Sequence, residues 1–222
     1  MVIVVYFAFV ILALTIVGSS SLEVKEKATG HMYTQIPEDD KKLELVGVGV
    51  RVKKIGPIKV NVYSAALYLE KSSALLNSLK AFKGISTEKL QSSEDLSNAL
   101  GGSTHTKSIV LKMARDVGSN TMVEALAESV KPRIVGDSSS LSHFQSLLSK
   151  GLAGIGAKKN TEFRFRSVSL SNQLSVAING VEQGVVNSGA LCRAFFNVYL
   201  DQDSVSPPLK ASVCHTISKW LL

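Results

Sequence analysis

Hydrophobic and small or polar residues alternate over residues 43–51, LELVGVGVR. Alternate side chains of a strand point to opposite faces, so this pattern predicts a strand with two distinct faces. Residues 58–70 are rich in β-branched and aromatic side chains and predict a second strand, joined to the first by a turn at Gly56-Pro57. The two faces of the first strand then carry Val46, Val48 and Val50 on one side and Leu45, Gly47, Gly49 and Arg51 on the other.

The remaining patterns predict a mixture of helices and strands. Asn179-Gly180 is a strong signal for a two-residue hairpin turn. Ser206-Pro207 is typical of a helix start, with serine as N-cap and proline at the first helical position. The predicted helices cover residues 72–83, 86–100, 118–132, 137–152, 188–200 and a last segment from 206. The further predicted strands cover residues 107–115, 161–168, 174–178 and 181–186.

The order of these elements indicates the fold class. Strands come first, helices are inserted in the middle, a hairpin follows, and two helices end the chain. This order predicts an α+β fold in which an antiparallel sheet packs against a helical layer, and it does not fit alternating βαβ units. We expect one domain over residues 42–222, preceded by a polar linker or loose arm at residues 21–41.

The N-terminal segment has the pattern of a targeting signal. Residues 1–17 are all hydrophobic except Thr15, and Gly18 and three serines follow. This layout is typical of a secretory signal peptide at residues 1–20, although no basic side chain precedes the apolar run. An uncleaved signal anchor, which would tether the chain to a membrane as an apolar helix outside the domain, and a plastid or other organellar leader are the alternatives. Each predicts entry into a membrane system, first of all the endoplasmic reticulum and secretory pathway.

Composition excludes several classes of function. The chain is 45% hydrophobic with a net charge of +7, but its lysines are scattered, so nucleic-acid binding is not predicted. The four histidines lack metal-ligand spacing, and the glycines at 151, 154 and 156 follow a helix rather than a strand, so neither a metal nor a dinucleotide cofactor is expected. Cys192 and Cys214 are interpreted as buried thiols, although an oxidising compartment would permit a disulfide.

Arg51 is the candidate binding residue that the strand pattern singles out. It lies on the same face as Gly47 and Gly49, which would leave space above the sheet. A guanidinium in a partly apolar cavity needs an anionic partner. Tyr63 lies on the neighbouring strand within reach, and the pair could hold a carboxylate, unless both are ordinary surface and strand residues.

Three blocks of the sequence resemble the chalcone isomerase superfamily. They are VGVGVRVKKIGPIKVNVYSAALYLE at residues 46–70, KSIVLKMARDVGSNTMVEALAESVKPRI at residues 107–134 and LCRAFFNVYLDQDSVSPPLKASV at residues 191–213. The resemblance covers about residues 42–222. It is closer to the fatty-acid-binding and chalcone-isomerase-like branches than to the enzymes, and it implies an open-faced sandwich of sheet and helices.

The resemblance also implies roles for individual residues. Arg51 matches the arginine of the enzymes, whereas Tyr63 stands where they have threonine and where the fatty-acid-binding branch has tyrosine. Met122 and Ser129 stand where the enzymes have a tyrosine and an asparagine on one helix face. Val198 replaces a polar residue near the substrate. We therefore expect the ligand to be bound by Arg51 and Tyr63 in a pocket lined by Met113, Met122, Ser129 and Val198.

These replacements favour binding over catalysis. Ring closure of a chalcone requires oriented donors for the developing enolate, and losing one such donor commonly costs ~10²–10³ in rate. A more apolar pocket favours an acyl chain. The prediction is a monomer without a cofactor that binds a fatty acid or similar amphipathic carboxylate and lacks efficient isomerase activity. An intramolecular lyase acting on an enone, and a membrane-tethered protein that assists other enzymes, are the alternatives.

Overall fold

The computed structural model of the chain describes residues 22–134 and 136–222. The predicted leader at residues 1–20, with its signal, anchor and localisation alternatives, lies outside the described residues. None of the helices in the described part of the chain is long and apolar enough to span a membrane.

Six antiparallel strands form the central sheet, and they follow one another in chain order across it. The first two make the long predicted hairpin, and the last two are joined at Asn179-Gly180, where both residues have positive φ (49° and 78°), as a two-residue hairpin turn requires. The strands are β3 (Leu43–Ile55), β4 (Ile58–Glu70), β5 (Lys107–Met113), β6 (Glu162–Ser167), β7 (Gln173–Ile178) and β8 (Val181–Asn187).

The helices cover one face of this sheet and enclose the main core. The predicted helix at 86–100 is two short helices, because Ser86 and Ser93 each cap a new helix start with their side chains. Ser206 caps the last helix as predicted, accepting from the amide of Leu209. The helices are α1 (Ser73–Leu79), α2 (Thr87–Gln91), α3 (Glu94–Gly101), α4 (Ser119–Val130), α5 (Ser138–Leu152), α6 (Gly189–Leu200) and α7 (Pro207–Trp220), with 3-10 turns at Lys80–Phe82 and Lys131–Arg133. The predicted α+β open-faced sandwich is confirmed.

Helix α7 lies directly against the backbone of β3. A Cβ on Gly49 would be 2.6 Å from the Cα of Leu209, and a Cβ on Gly47 would be 2.8 Å from the amide nitrogen of Val213. The two glycines therefore share the helix face, as the alternation predicts, but the interpretation that they leave open space is wrong. The backbone of α7 fills that space.

The alternation breaks at one residue of β3. The pairing with β4 shifts between Leu45 and Gly47, so Val46 is the extra residue of a β-bulge. As a result Val46 packs in the helix-side core, while Val48 and Leu45 pack on the opposite face. The prediction that Val46 and Val48 share a face is therefore wrong, because a bulge reverses the side on which the preceding residues point.

Secondary structure occurs within residues 22–41, in the segment where a linker or loose arm is expected. Strands β1 (Glu23–Lys25) and β2 (Met32–Thr34) form a small hairpin, which we call the arm. It lies over the sheet face opposite the helices, where Tyr33 packs beside Tyr68. The Tyr33 hydroxyl is 2.6 Å from Ser64 Oγ, and the Tyr68 hydroxyl donates to the carbonyl of Thr34.

Candidate functional site

Arg51 and Tyr63 are cross-strand partners in the half of the β3–β4 hairpin nearer its turn, so the structure brings together the two residues that the sequence singles out. Nη1 of Arg51 donates to the Tyr63 hydroxyl at 3.2 Å. The guanidinium carbon also lies 5.6 Å from the centre of the Tyr63 ring, within the range of a cation–π contact. Tyr63 is fully buried and Arg51 is half-buried, so the guanidinium stands at the edge of the core.

A second tyrosine extends this pair into the core. The Tyr63 and Tyr199 hydroxyls are 3.1 Å apart, and Tyr199 lies on the fully buried side of α6. Burial raises the pKa of Tyr199 well above its usual range, so its hydroxyl is neutral. Sequence reasoning missed Tyr199 and chose the neighbouring Val198. The available signal was a phenol in the apolar run LCRAFFNVYL, because a buried tyrosine hydroxyl requires a partner.

A cleft of about 230 Å³ opens beside the Arg51–Tyr63 pair, between the β3–β4 hairpin and the start of α4. We call it the helix-side cleft. Its wall is apolar apart from a few placed polar groups, and its charged groups are three cations and one carboxylate. The lining residues are Arg51, Lys53, Ile55, Val60, Val62, Tyr63, Arg115, Asp116, Val117, Thr121, Met122 and Ala125.

No carboxylate of the described residues lies within 4.0 Å of the Arg51 guanidinium. Burial opposes its positive charge, but the Tyr63 hydroxyl favours it, and the net effect is a raised pKa for Arg51. The group is therefore always charged. The one acidic side chain in the cleft, Asp116, is exposed and faces Lys158 at 3.8 Å. The cleft thus offers a half-buried cation without a counter-ion, which favours an anionic ligand.

Only one of the four predicted lining residues borders this cleft. Met122 does so from α4. Met113 and Val198 are buried in the core and are not among the residues that line the cleft. Ser129 lies two turns further along α4, where its hydroxyl donates to the carbonyl of Ala125, and it does not line the cleft either. A family position gives neither the depth of a side chain nor its orientation, so the resemblance alone could not place these three side chains.

The opposite face of the sheet carries a larger cleft of about 710 Å³ beneath the arm. We call it the arm-side cleft. Its arginines already have carboxylate partners: Arg164 pairs with Asp39, and Nε of Arg166 donates to Asp40 at 3.0 Å. Lys112 faces Glu162 at 3.6 Å. Each of the three cations that line this cleft therefore has an acidic partner within the chain.

One more cation lies on the helix face. Lys107 on β5 is fully buried, donates to the carbonyl of Gly102, and lies 5.0 Å from the centre of the Phe196 ring. Burial lowers its pKa to about 8. Lys107 lines neither cleft, so it is a buried core group rather than a ligand contact.

The described residues contain no cluster of three or more histidine, cysteine, aspartate or glutamate side chains that could hold a metal ion. Cys192 and Cys214 are both buried free thiols and do not form a disulfide.

Comparison with known proteins gives a fold relationship. The sequence matches no protein-family profile and no curated protein. The structure is similar to the crystal structure of a fatty-acid binding protein of Arabidopsis thaliana, with a TM-score of 0.75 and 20% sequence identity over 90% of this chain and 99% of that one. This similarity confirms the predicted chalcone isomerase-like fold.

Proposed function

We propose that this protein binds a fatty acid, or a similar amphipathic carboxylate, in the helix-side cleft and has no efficient isomerase activity. The observation that carries the proposal is the half-buried Arg51, which has no carboxylate partner among the described residues and opens into an apolar cleft. The structurally similar Arabidopsis protein is described as a fatty-acid binding protein, which supports the same class of ligand.

The donors at Arg51 and Tyr63 suit a carboxylate. One N–H of Arg51 is used by the Tyr63 hydroxyl, so most of the five guanidinium donors are available to a ligand. A guanidinium binds the two oxygens of a carboxylate with parallel hydrogen bonds. The Tyr63 hydroxyl accepts from Arg51 and can donate its own hydrogen to the ligand, which adds a third contact.

The size and lining of the cleft fit the first part of an acyl chain. Its 230 Å³ is below the roughly 300 Å³ at which pockets begin to enclose a drug-sized molecule. Each buried methylene contributes about 0.8 kcal/mol. The carboxylate and first methylenes would therefore occupy the cleft, and a longer tail would continue past Val60 and Ile55 toward the turn of the hairpin.

Met122 argues against isomerase chemistry. It borders the cleft at the position where the resemblance to the enzymes implies a tyrosine, and a thioether cannot donate a hydrogen bond to an enolate. Ser129, the second replaced position, does not border the cleft. Two donors expected of the enzymes are thus missing from the site, while the apolar wall they leave favours a hydrocarbon chain.

The test is calorimetric titration of the full chain with dodecanoic acid and with dodecanol, using wild type, Arg51→Met and Arg164→Met. Charge-assisted hydrogen bonds contribute about 1.5–3 kcal/mol, so Arg51→Met should weaken acid binding roughly 10- to 150-fold. Dodecanol binding should change little. Arg164→Met, which removes a paired arginine of the arm-side cleft, should leave acid binding intact.

Equal affinity of wild type and Arg51→Met for dodecanoic acid would contradict the proposal. Loss of acid binding in Arg164→Met alone would indicate that the ligand binds in the arm-side cleft. The absence of isomerase activity is tested separately, by following the absorbance of a chalcone with wild-type protein. A rate above background that Arg51→Met abolishes would favour the intramolecular lyase instead.

A further inference from the structure

We propose that the tip of the β3–β4 hairpin is a docking surface for membranes that contain anionic lipids. The surface consists of Ile55 and Ile58, flanked by Lys53, Lys54 and Lys59. This inference goes beyond ligand binding in the cleft and does not depend on it, because the surface is defined by its own exposure and charge.

The tip carries apolar side chains in water. Every residue from 52 to 59 is exposed. Ile55 and Ile58 are cross-strand partners on either side of the Gly56-Pro57 turn, and their side chains are 57% and 63% exposed. Covering two large aliphatic side chains at the end of a hairpin with an apolar partner removes them from water, which is favourable.

The charged side chains that flank the two isoleucines on the hairpin are all basic. Three lysines lie within four residues of them, and no acidic residue occurs anywhere between Glu44 and Glu70. The lysines of the tip form no ion pair with the described residues. A partner that fits this surface must therefore offer negative charge outside and hydrocarbon inside, which is the cross-section of a bilayer with anionic headgroups.

A second loop extends the surface at the same end of the sheet. The chain after β5 bridges to residues 153–160 through the Val117–Ala157 pair, and the amide of Ala114 donates to the carbonyl of Val62 near the hairpin. This loop adds Ile155, which is 46% exposed, together with Lys158 and Lys159. The loop thus adds an exposed aliphatic side chain and Lys159 at this end of the sheet, while its Lys158 faces the exposed Asp116 at 3.8 Å.

The docking surface leads into the helix-side cleft. Lys53, Ile55 and Val60 line that cleft as well as the inner side of the hairpin. A fatty acid in a bilayer holds its carboxylate at the interface and its tail in the hydrocarbon. With the tip in the interface, the carboxylate would move toward Arg51 first and the tail would follow. This last step rests on the proposed function, whereas docking itself does not.

Nucleic acid fits the tip less well than a bilayer. Single-stranded nucleic acid is bound by aromatic side chains on which bases stack, and residues 52–61 contain none. Isoleucine side chains have no use against a phosphate backbone, while they add apolar burial in a lipid interface. The combination of aliphatic tip and lysine rim therefore favours lipid.

The experiment is co-sedimentation of the full chain with phosphatidylcholine vesicles, with and without phosphatidylserine. Residues 1–22 contain no charged side chain, so a preference for phosphatidylserine reports on the rest of the chain. The variants are Lys54→Gln/Lys59→Gln and Ile58→Ser, none of which lines the cleft. The charge-matched control is Lys80→Gln/Lys83→Gln, two exposed lysines on the 3-10 turn after α1 and just beyond it.

We expect wild type to prefer the anionic vesicles and to lose that preference at high salt. Each surface lysine contributes about 1 kcal/mol near an anionic membrane, so Lys54→Gln/Lys59→Gln should weaken binding roughly 30-fold. Ile58→Ser should weaken it roughly 10-fold, as expected for an aliphatic side chain that leaves the lipid. The control pair should bind within about twofold of wild type, because it lies outside the surface.

No preference of wild type for anionic vesicles, or an equal loss in the control pair, would overturn the proposal. Dodecanoic acid affinity is measured in parallel without vesicles. The tip variants should retain it. Vesicle binding without acid binding would contradict the proposed function and leave docking intact, and the reverse result would contradict docking alone.

Discussion

Each face of the sheet carries a cleft, and the larger of the two clefts is the one whose arginines already have acidic partners. The arm-side cleft is the larger, about 710 Å³, but its arginines Arg164 and Arg166 already face carboxylates. The helix-side cleft is about 230 Å³, and its Arg51 has only a tyrosine hydroxyl as partner. The unbalanced charge beside apolar walls, rather than the volume of the cleft, is therefore the reason for proposing the helix-side cleft as the binding site.

The paired arginines have a structural task instead. Asp39 and Asp40 follow the arm in the chain, and Arg164 and Arg166 lie on β6 in the middle of the sheet. These ion pairs connect the segment after the arm to the sheet face that the helices leave open. The two arginines of the arm-side cleft therefore have their counter-charges within the chain.

The largest expected effect comes from Gly49→Ala, which tests how the helix face is closed. The added methyl would lie 2.6 Å from the Cα of Leu209, a backbone atom that cannot move without shifting α7. Overpacking of this kind costs about 3 kcal/mol. Urea unfolding should show that loss in the free energy of unfolding.

The control for this prediction is Gly118→Ala. A Cβ there would meet its nearest neighbour at 3.5 Å, and φ at Gly118 is −59°, which alanine adopts freely. Replacing the N-cap glycine should cost less than about 1 kcal/mol. Similar losses in the two variants would show that α7 does not rest on the backbone of β3.

The pH dependence of stability distinguishes the buried Lys107, which can lose its charge, from Arg51, which stays charged. Burial lowers the pKa of Lys107 from 10.5 to about 8, so the unfolded chain binds more protons between these two values. The contribution of Lys107 to stability therefore rises with pH from 8 toward 10.5. The stability advantage of Lys107→Met over wild type should be roughly 2 kcal/mol near pH 8 and shrink toward pH 10.

Urea unfolding under reducing conditions at pH 8, 9 and 10 measures this change. Taking the difference between the two proteins cancels the titration of tyrosines and cysteines that both contain. A difference that does not vary with pH would mean that Lys107 reaches water in the folded protein, as Arg51 does.

The smallest expected effect is on the free energy of unfolding when one arginine from each face of the sheet is replaced. Arg166→Met should lower the free energy of unfolding by about 1 kcal/mol, because it breaks a partly exposed ion pair with Asp40. Arg51→Met should leave it unchanged or raise it slightly, since it removes a half-buried charge that has no counter-ion. Thermal unfolding of both variants provides the measurement. An equal loss in the two would make Arg51 a structural residue and weaken the binding proposal.

Local patterns were sufficient to predict much of the fold. Alternation placed Gly47, Gly49 and Arg51 on one face, and the hairpin geometry placed Tyr63 beside Arg51. The turn at Asn179-Gly180 and the cap at Ser206 were equally predictable. Each of these depends on neighbours in the chain or on a single strand pair, so the residues themselves carry the information.

The features that the sequence did not predict depend on distant contacts. The order of the arm depends on packing of Tyr33 against the sheet, and the bulge at Val46 is invisible in an unbroken alternation. The depth of Met113 and the pairing of Tyr199 with Tyr63 depend on how α6 meets the strands. No local pattern reports such distances.

The Tyr63 hydroxyl lies between Arg51 and Tyr199, and this limits which group can donate to a bound ligand. A phenol carries a single hydrogen, and the oxygen of Tyr63 already accepts from Arg51. If a guest takes that hydrogen, Tyr199 must turn its own toward Tyr63, because the two oxygens are 3.1 Å apart and one of them has to donate. A bound guest would therefore fix the orientation of a hydroxyl in the fully buried interior, with no movement of the backbone.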